Sequence, residues 1–173
     1  MTPSLTRSRL FLPWLLAGMS WTPSSADADD HGGSQVSVWP KAYLRECAAC
    51  HVPFQPRMLP AASWGRLMGR LDQHFGTEAT FDSGDMRAVS QWLRENAASS
   101  GSQELPVQDR VTRSRWFERK HRHVEAATWR LPSVRSAVNC AACHVGAAQG
   151  RFSEHSLRMP AGLSERQRAA WTD

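Results

Sequence analysis

The chain contains no isoleucine and a single tyrosine, Tyr43. This depletes the residues that favour strands, while abundant alanine and leucine favour helix. The expected fold class is therefore all-α. Beyond Met19 no apolar run reaches the roughly 18 residues needed to span a bilayer, so the rest of the sequence is expected to hold no transmembrane helix. Cysteine is scarce too. The four cysteines all fall in two short motifs, and none is left over for a disulfide framework.

The motifs are ECAACHV at residues 46 to 52 and NCAACHV at 139 to 145. A Cys-x-x-Cys pair has three readings: a redox-active dithiol, half of a zinc site, or covalent attachment of haem through two thioethers. The following histidine separates them. A c-type haem needs two thiols a helical turn apart for its two vinyl groups and an adjacent histidine to reach the iron. Cys47, Cys50 and His51 meet that need, as do Cys140, Cys143 and His144. Zinc needs four ligands in one tetrahedral shell, and pairs 93 positions apart (140 minus 47) leave both histidines unexplained. A thioredoxin-type dithiol sits near a βαβ unit, and the sequence offers none. Two covalently attached c-type haems are the expected cofactors.

The first residues suggest export. Arg7 and Arg9 form a positive leader, Leu10 to Met19 is an apolar stretch too short to cross a membrane, and Ser24-Ser25-Ala26 offers small residues for cleavage. Residues 1–26 read as a signal peptide, leaving 147 residues, one compact body or two small haem lobes. The location expected in a Gram-negative bacterium is the periplasm. The polar, small-residue stretch 97–109 reads as a connection, so the N-terminal haem lobe is placed at 27–104 and the C-terminal lobe at 105–173.

Charge informs the partner. Removing Arg7 and Arg9 leaves 19 basic and 16 acidic residues, a net +3, which four haem propionates bring to neutral or slightly negative. Between residues 110 and 135 stand Arg110, Arg113, Arg115, Arg119, Lys120, Arg122, Arg130 and Arg135 against Glu118 and Glu125. Such a run suits haem propionates or an acidic docking partner, with a solvated helix face as the plain alternative. Nucleic-acid binding is not expected, because it leaves the Cys-Ala-Ala-Cys-His repeats without a role.

Periodicity predicts helices from Trp39-Pro40 into the first motif, over 63–76 with Ser63 as cap and Gly76 as stop, over 83–97, and from about Thr112 onward, with a stop at Gly150. Sixth ligands for the irons are sought among the remaining histidines. His74 continues the apolar face of Trp64, Leu67 and Leu71, which makes it the candidate for the first haem. For the second, His121 shares a stripe with Phe117 and Val124, whereas His123 shares its face with Trp116, Arg119 and Lys120. His155 follows His144 by eleven residues, and Met58, Met68, Met86 and Met159 also qualify chemically.

The order DDHGG, ECAACHV, LPAASWGRLMGRLDQHFG, DRVTRSRWFERKH, VNCAACHVGAAQGRFSEHSLRMP resembles the small bacterial dihaem cytochromes c, the group whose best-known member partners the sphaeroides haem protein. The resemblance implies two covalent haems in a mostly helical, two-lobed protein with bis-histidine ligation. His74 and His121 are the distal ligands it implies. It further implies electron transfer with a monohaem oxygen-binding cytochrome c or a membrane b-type cytochrome. The competing class is a dihaem enzyme or enzyme subunit, peroxidase-like or of the nitrate reductase type, with one iron position open.

Overall fold

A computed structural model describes residues 38–99, 105–169 and 171, all within one compact unit, Ser34–Asp173. The expected leader with its cleavage site after Ala26, His31 and the lobe boundary at Glu104 lie outside the described residues. Pro40, its φ already near the helical value, leads into helix α1 (Lys41–Cys47). Helix α2 (Ala61–Met68) starts behind Pro60 in the same way. Asp82 opens helix α3 (Ser83–Glu95) by accepting hydrogen bonds from the backbone N–H groups of Gly84 and Asp85. Ser114 caps the short helix α4 (Arg115–Lys120) through the Phe117 N–H, and α5 (Glu165–Ala169) follows near the C-terminus. Eight 3-10 turns join these helices, and no strand occurs among the described residues.

Helix α3 carries the first half. Its Val89 and Leu93 are fully buried, and both α1 and α2 pack against it. Around them close Tyr43, Phe54, Met58, Leu59, Trp64, Met68 and Leu71. Each such aliphatic or aromatic side chain contributes about 1.5–3 kcal/mol when removed from water. The polar tips are matched to backbone: Tyr43 Oη donates to the Phe54 carbonyl at 2.7 Å, and Trp64 Nε1 to the Pro56 carbonyl at 2.6 Å. Tyr43 clusters with Trp39 and Trp92, their ring centroids 5.5 and 4.9 Å away.

The second half is built of turns. Buried Gln167 on α5 donates to Thr128 Oγ1 at 3.0 Å and accepts from the Ser164 N–H, tying the C-terminus to the 3-10 turn Thr128–Arg130. The two halves interlock. Val111, Trp116, Cys140 and Phe152 pack on the first-half core, and the buried Gln55 side chain donates to the Gly150 carbonyl at 3.1 Å.

Several expected boundaries move. Ser63 is a buried residue inside α2, which starts at Ala61 rather than at a serine cap. That helix stops at Met68, because Gly69 ends it and Arg70 turns away at φ −138°, ψ 35°. His74 therefore follows a separate 3-10 turn, Leu71–Gln73, instead of ending one long helix at Gly76. The helix expected from Thr112 is confined to Arg115–Lys120. Gly150 does end a helical turn, Ala147–Gln149, in the left-handed conformation.

Candidate functional site

Each motif sits where a helical turn gives way to loop. Cys47 closes α1, and Cys50 and His51 lie in the turn beyond it. His51 Nδ1 is 2.7 Å from the Val52 carbonyl, so that nitrogen carries the proton and Nε2 keeps its lone pair for a metal. Phe54 stacks on the ring at 4.7 Å. Across from it stands His74, its centroid 6.4 Å from that of His51 and the ring planes 28° apart.

The second pair repeats the spacing by other means. Cys140 begins a 3-10 turn, and the His144 N–H closes back onto the Cys140 carbonyl at 2.8 Å. His121 caps the C-terminal end of α4. Its Nδ1 lies 2.9 Å from the Phe117 carbonyl, again leaving Nε2 free. Its ring stacks on Phe117 at 4.0 Å, with Trp129 edge-on at 5.8 Å. The centroids of His121 and His144 are 6.1 Å apart, with planes at 75°.

Imidazole rings in contact would stack closer. A metal bonded to both, at about 2 Å per bond and about 1.1 Å from nitrogen to centroid, separates the centroids by roughly 6.2 Å. Both pairs match that span. Burial, then in each case the facing histidine, depresses the basicity of His74 and His144, while burial alone dominates for His121. Neutral imidazole is the form that binds metal. The Nδ1 atoms of His74 and His144 are buried without a hydrogen-bond partner.

The thiols fit addition to vinyl groups better than a thiolate shell. Burial, with the Glu46 carboxylate second, pushes Cys47 up to about 11, and burial pushes Cys140 up to about 11 and raises Cys143. Among the described residues no group of three or more His, Cys, Asp or Glu converges as a metal shell, so the motifs do not come together as one zinc site. His123 and His155 are exposed, as is Met159, while Met58 and Met68 are core residues.

A family model described as dihaem cytochrome c matches residues 43–152, which include both motifs and all four histidines of the two pairs. The chain belongs to the dihaem cytochrome c family. The dihaem cytochrome is 38% identical to a solved protein from Rhodobacter sphaeroides, over 66% of this chain and 98% of that one, with a TM-score of 0.57. A second structure of a dihaem cytochrome c from the same organism is 34% identical, over 69% and 100%, at a TM-score of 0.60. One from Shewanella baltica is 29% identical, over 70% and 93%, at a TM-score of 0.60. No curated protein sequence matches significantly. As a family member the dihaem cytochrome carries two covalent c-type haems, and no described helix is long and apolar enough to cross a membrane.

Sequence periodicity misses the aromatic seats of these histidines. Phe54, three residues after His51, gives no helical signal because it lies in a proline-broken loop. Phe152 is missed because it lies in the irregular segment just beyond the left-handed Gly150. Its ring meets His144 edge-on at 5.6 Å and packs on the core that includes Phe54, so one apolar layer adjoins both motif histidines.

Proposed function

We propose that this dihaem cytochrome is an exported, periplasmic electron carrier whose irons are both saturated by protein ligands. Cys47 and Cys50 hold the first haem, with His51 and His74 on its iron. Cys140 and Cys143 hold the second, with His144 and His121. The observation that carries the reading is the metal-sized gap in each histidine pair, 6.4 and 6.1 Å. Each haem supplies a reversible one-electron couple when bound. The chain fixes the His51 and His121 imidazoles through the Val52 and Phe117 carbonyls, and lines them with Phe54, Phe117 and Trp129 against water. Fixed ligands need little rearrangement between oxidation states, which favours exchange with a partner over chemistry at the metal. The partner is a monohaem oxygen-binding cytochrome c or a membrane b-type cytochrome, and the exposed arginines between 110 and 135 suit an acidic docking face.

Carbon monoxide tests the reading. The reduced wild-type protein is expected to show no spectral change on exposure to the gas, because no iron position is open. His74→Ala is expected to keep both haems attached, gain a high-spin signal when oxidised and bind carbon monoxide at one haem when reduced. Binding by the wild type would instead support an enzyme with an open iron, and an unchanged low-spin spectrum in the variant would reassign the ligand.

Attachment and export are checked together by intact mass. Protein from a cell competent in cytochrome c maturation is expected to weigh residues 27–173 plus two haems. One haem addition, or haem extracted by acid acetone, contradicts the thioether assignment, and retention of Met1 in the exported fraction contradicts the leader.

A further inference from the structure

Residues 108–110, at the end of the connection between the halves, reach back to the loop that carries His74. Asp109 accepts a two-pronged ion pair from Arg66 of α2, at 2.8 Å from Nε and 2.5 Å from Nη2. The Arg110 guanidinium lies over the Phe75 ring, 4.2 Å from its centroid, and its Nε donates to Gln108 Oε1 at 3.1 Å. These groups and His74 line one cavity of about 280 Å³, together with Arg66, Arg70 and Gln73. Three of its residues, Phe75, Gln108 and Asp109, hold φ between 51° and 57°. A left-handed conformation is costly for a non-glycine residue, and such strain persists only where surrounding contacts over-determine it. The Arg66–Asp109 clamp and the Arg110–Phe75 stack are those contacts.

The charges do not cancel. Arg66 and Asp109 neutralise each other, which leaves Arg70 and Arg110 as an excess of positive charge beside His74. We propose that Arg110 tunes the first haem: strapped over the His74 loop, its fixed charge disfavours the ferric iron and raises that haem's reduction potential. Reduction adds one electron to Fe(III), delivered by the redox partner, and lowers the positive charge that Arg110 opposes. This inference rests on His74 as the sixth ligand of the first iron. At the second site Lys120 pairs with Glu154 at 3.0 Å, and Arg158 donates to the Ala141 carbonyl inside the second motif at 3.2 Å.

The test is a spectroelectrochemical titration of holoprotein at low ionic strength, because Arg110 is solvent-exposed and salt screens its field. Arg110→Gln is expected to lower one midpoint potential while both haems stay low-spin, and Arg110→Lys to recover most of the shift. In a His121→Ala background the second haem is high-spin and titrates at its own wavelengths. The midpoint that falls there is expected to belong to the haem that remains low-spin. Two unmoved midpoints in Arg110→Gln overturn the proposal, as does an equal fall of both or a fall confined to the high-spin haem. The ligand reading fails separately: His74→Ala would then leave both haems low-spin, whatever Arg110→Gln does to the potentials.

Discussion

Replacing His121 by alanine is expected to turn half of the haem in the protein high-spin, whereas His123→Ala leaves the spectrum nearly unchanged. Two residues apart in one helix, the side chains would point about 200° apart at roughly 3.6 residues per turn, so both could not face one iron. The structure separates them differently, since α4 ends at Lys120 and both histidines lie in the turn beyond it. His121 is held by the Phe117 carbonyl, seated on the Phe117 ring and turned toward His144 at 6.1 Å. His123 is exposed. Oxidised spectra of the two variants, followed by carbon monoxide on the reduced forms, check the expectation. A high-spin signal in His123→Ala alone would exchange the assignments. Silence in both variants, with replacement ligands excluded, would move the ligand to His155 or Met159.

Gly150→Ala is expected to cost about 2–5 kcal/mol, the sum of roughly 1–2 for a left-handed non-glycine residue and roughly 1–3 for overpacking. Gly150 has φ +71°, and a Cβ there would lie 2.3 Å from Gln55 Nε2 and 2.7 Å from the Trp39 ring. Neither neighbour is free to yield: Gln55 is 1% exposed and bonded to the Gly150 carbonyl, and Trp39 stacks on Tyr43. The loss is a large share of the about 5–15 kcal/mol that separates most folded domains from their unfolded chains. Denaturant titration of the holoprotein should show a lower midpoint at unchanged slope. Gly65→Ala is the control, because nothing lies within 4 Å of its added carbon and α2 gains a better helix former there. Equal stabilities for the two variants would contradict the steric account.

Much of this is legible in the sequence. The repeated Cys-Ala-Ala-Cys-His names its chemistry because attachment and ligation need those residue types at that spacing, and local spacing is what a sequence states directly. His74 and His121 were singled out by apolar stripes that assumed longer helices than the chain forms. His121 keeps its neighbour because the contact with Phe117 spans only the last turn of α4. His74 faces His51 from beyond a 3-10 turn, whereas the stripe assumes one continuous helix through that position. Helix ends are poorly legible, since a periodic pattern marks a face and leaves the stop to glycine and tertiary contact. Arg110 over Phe75 and Gln55 on Gly150 were illegible, because partners 35 and 95 residues apart leave no local pattern.

The Gln55–Gly150 junction also bears on how the chain reaches this state. It closes a loop of 95 residues, whereas α2 and α3 meet across a short turn segment. Closure entropy rises slowly with length, by about 0.6 kcal/mol per doubling, but distant contacts slow the search for the native topology. The order of events that follows has the three-helix first half condensing early and the left-handed glycine docking late. The surface through which one motif neighbours the other is then the last part of the molecule to be completed in time, although its two sides are specified at opposite ends of the described chain.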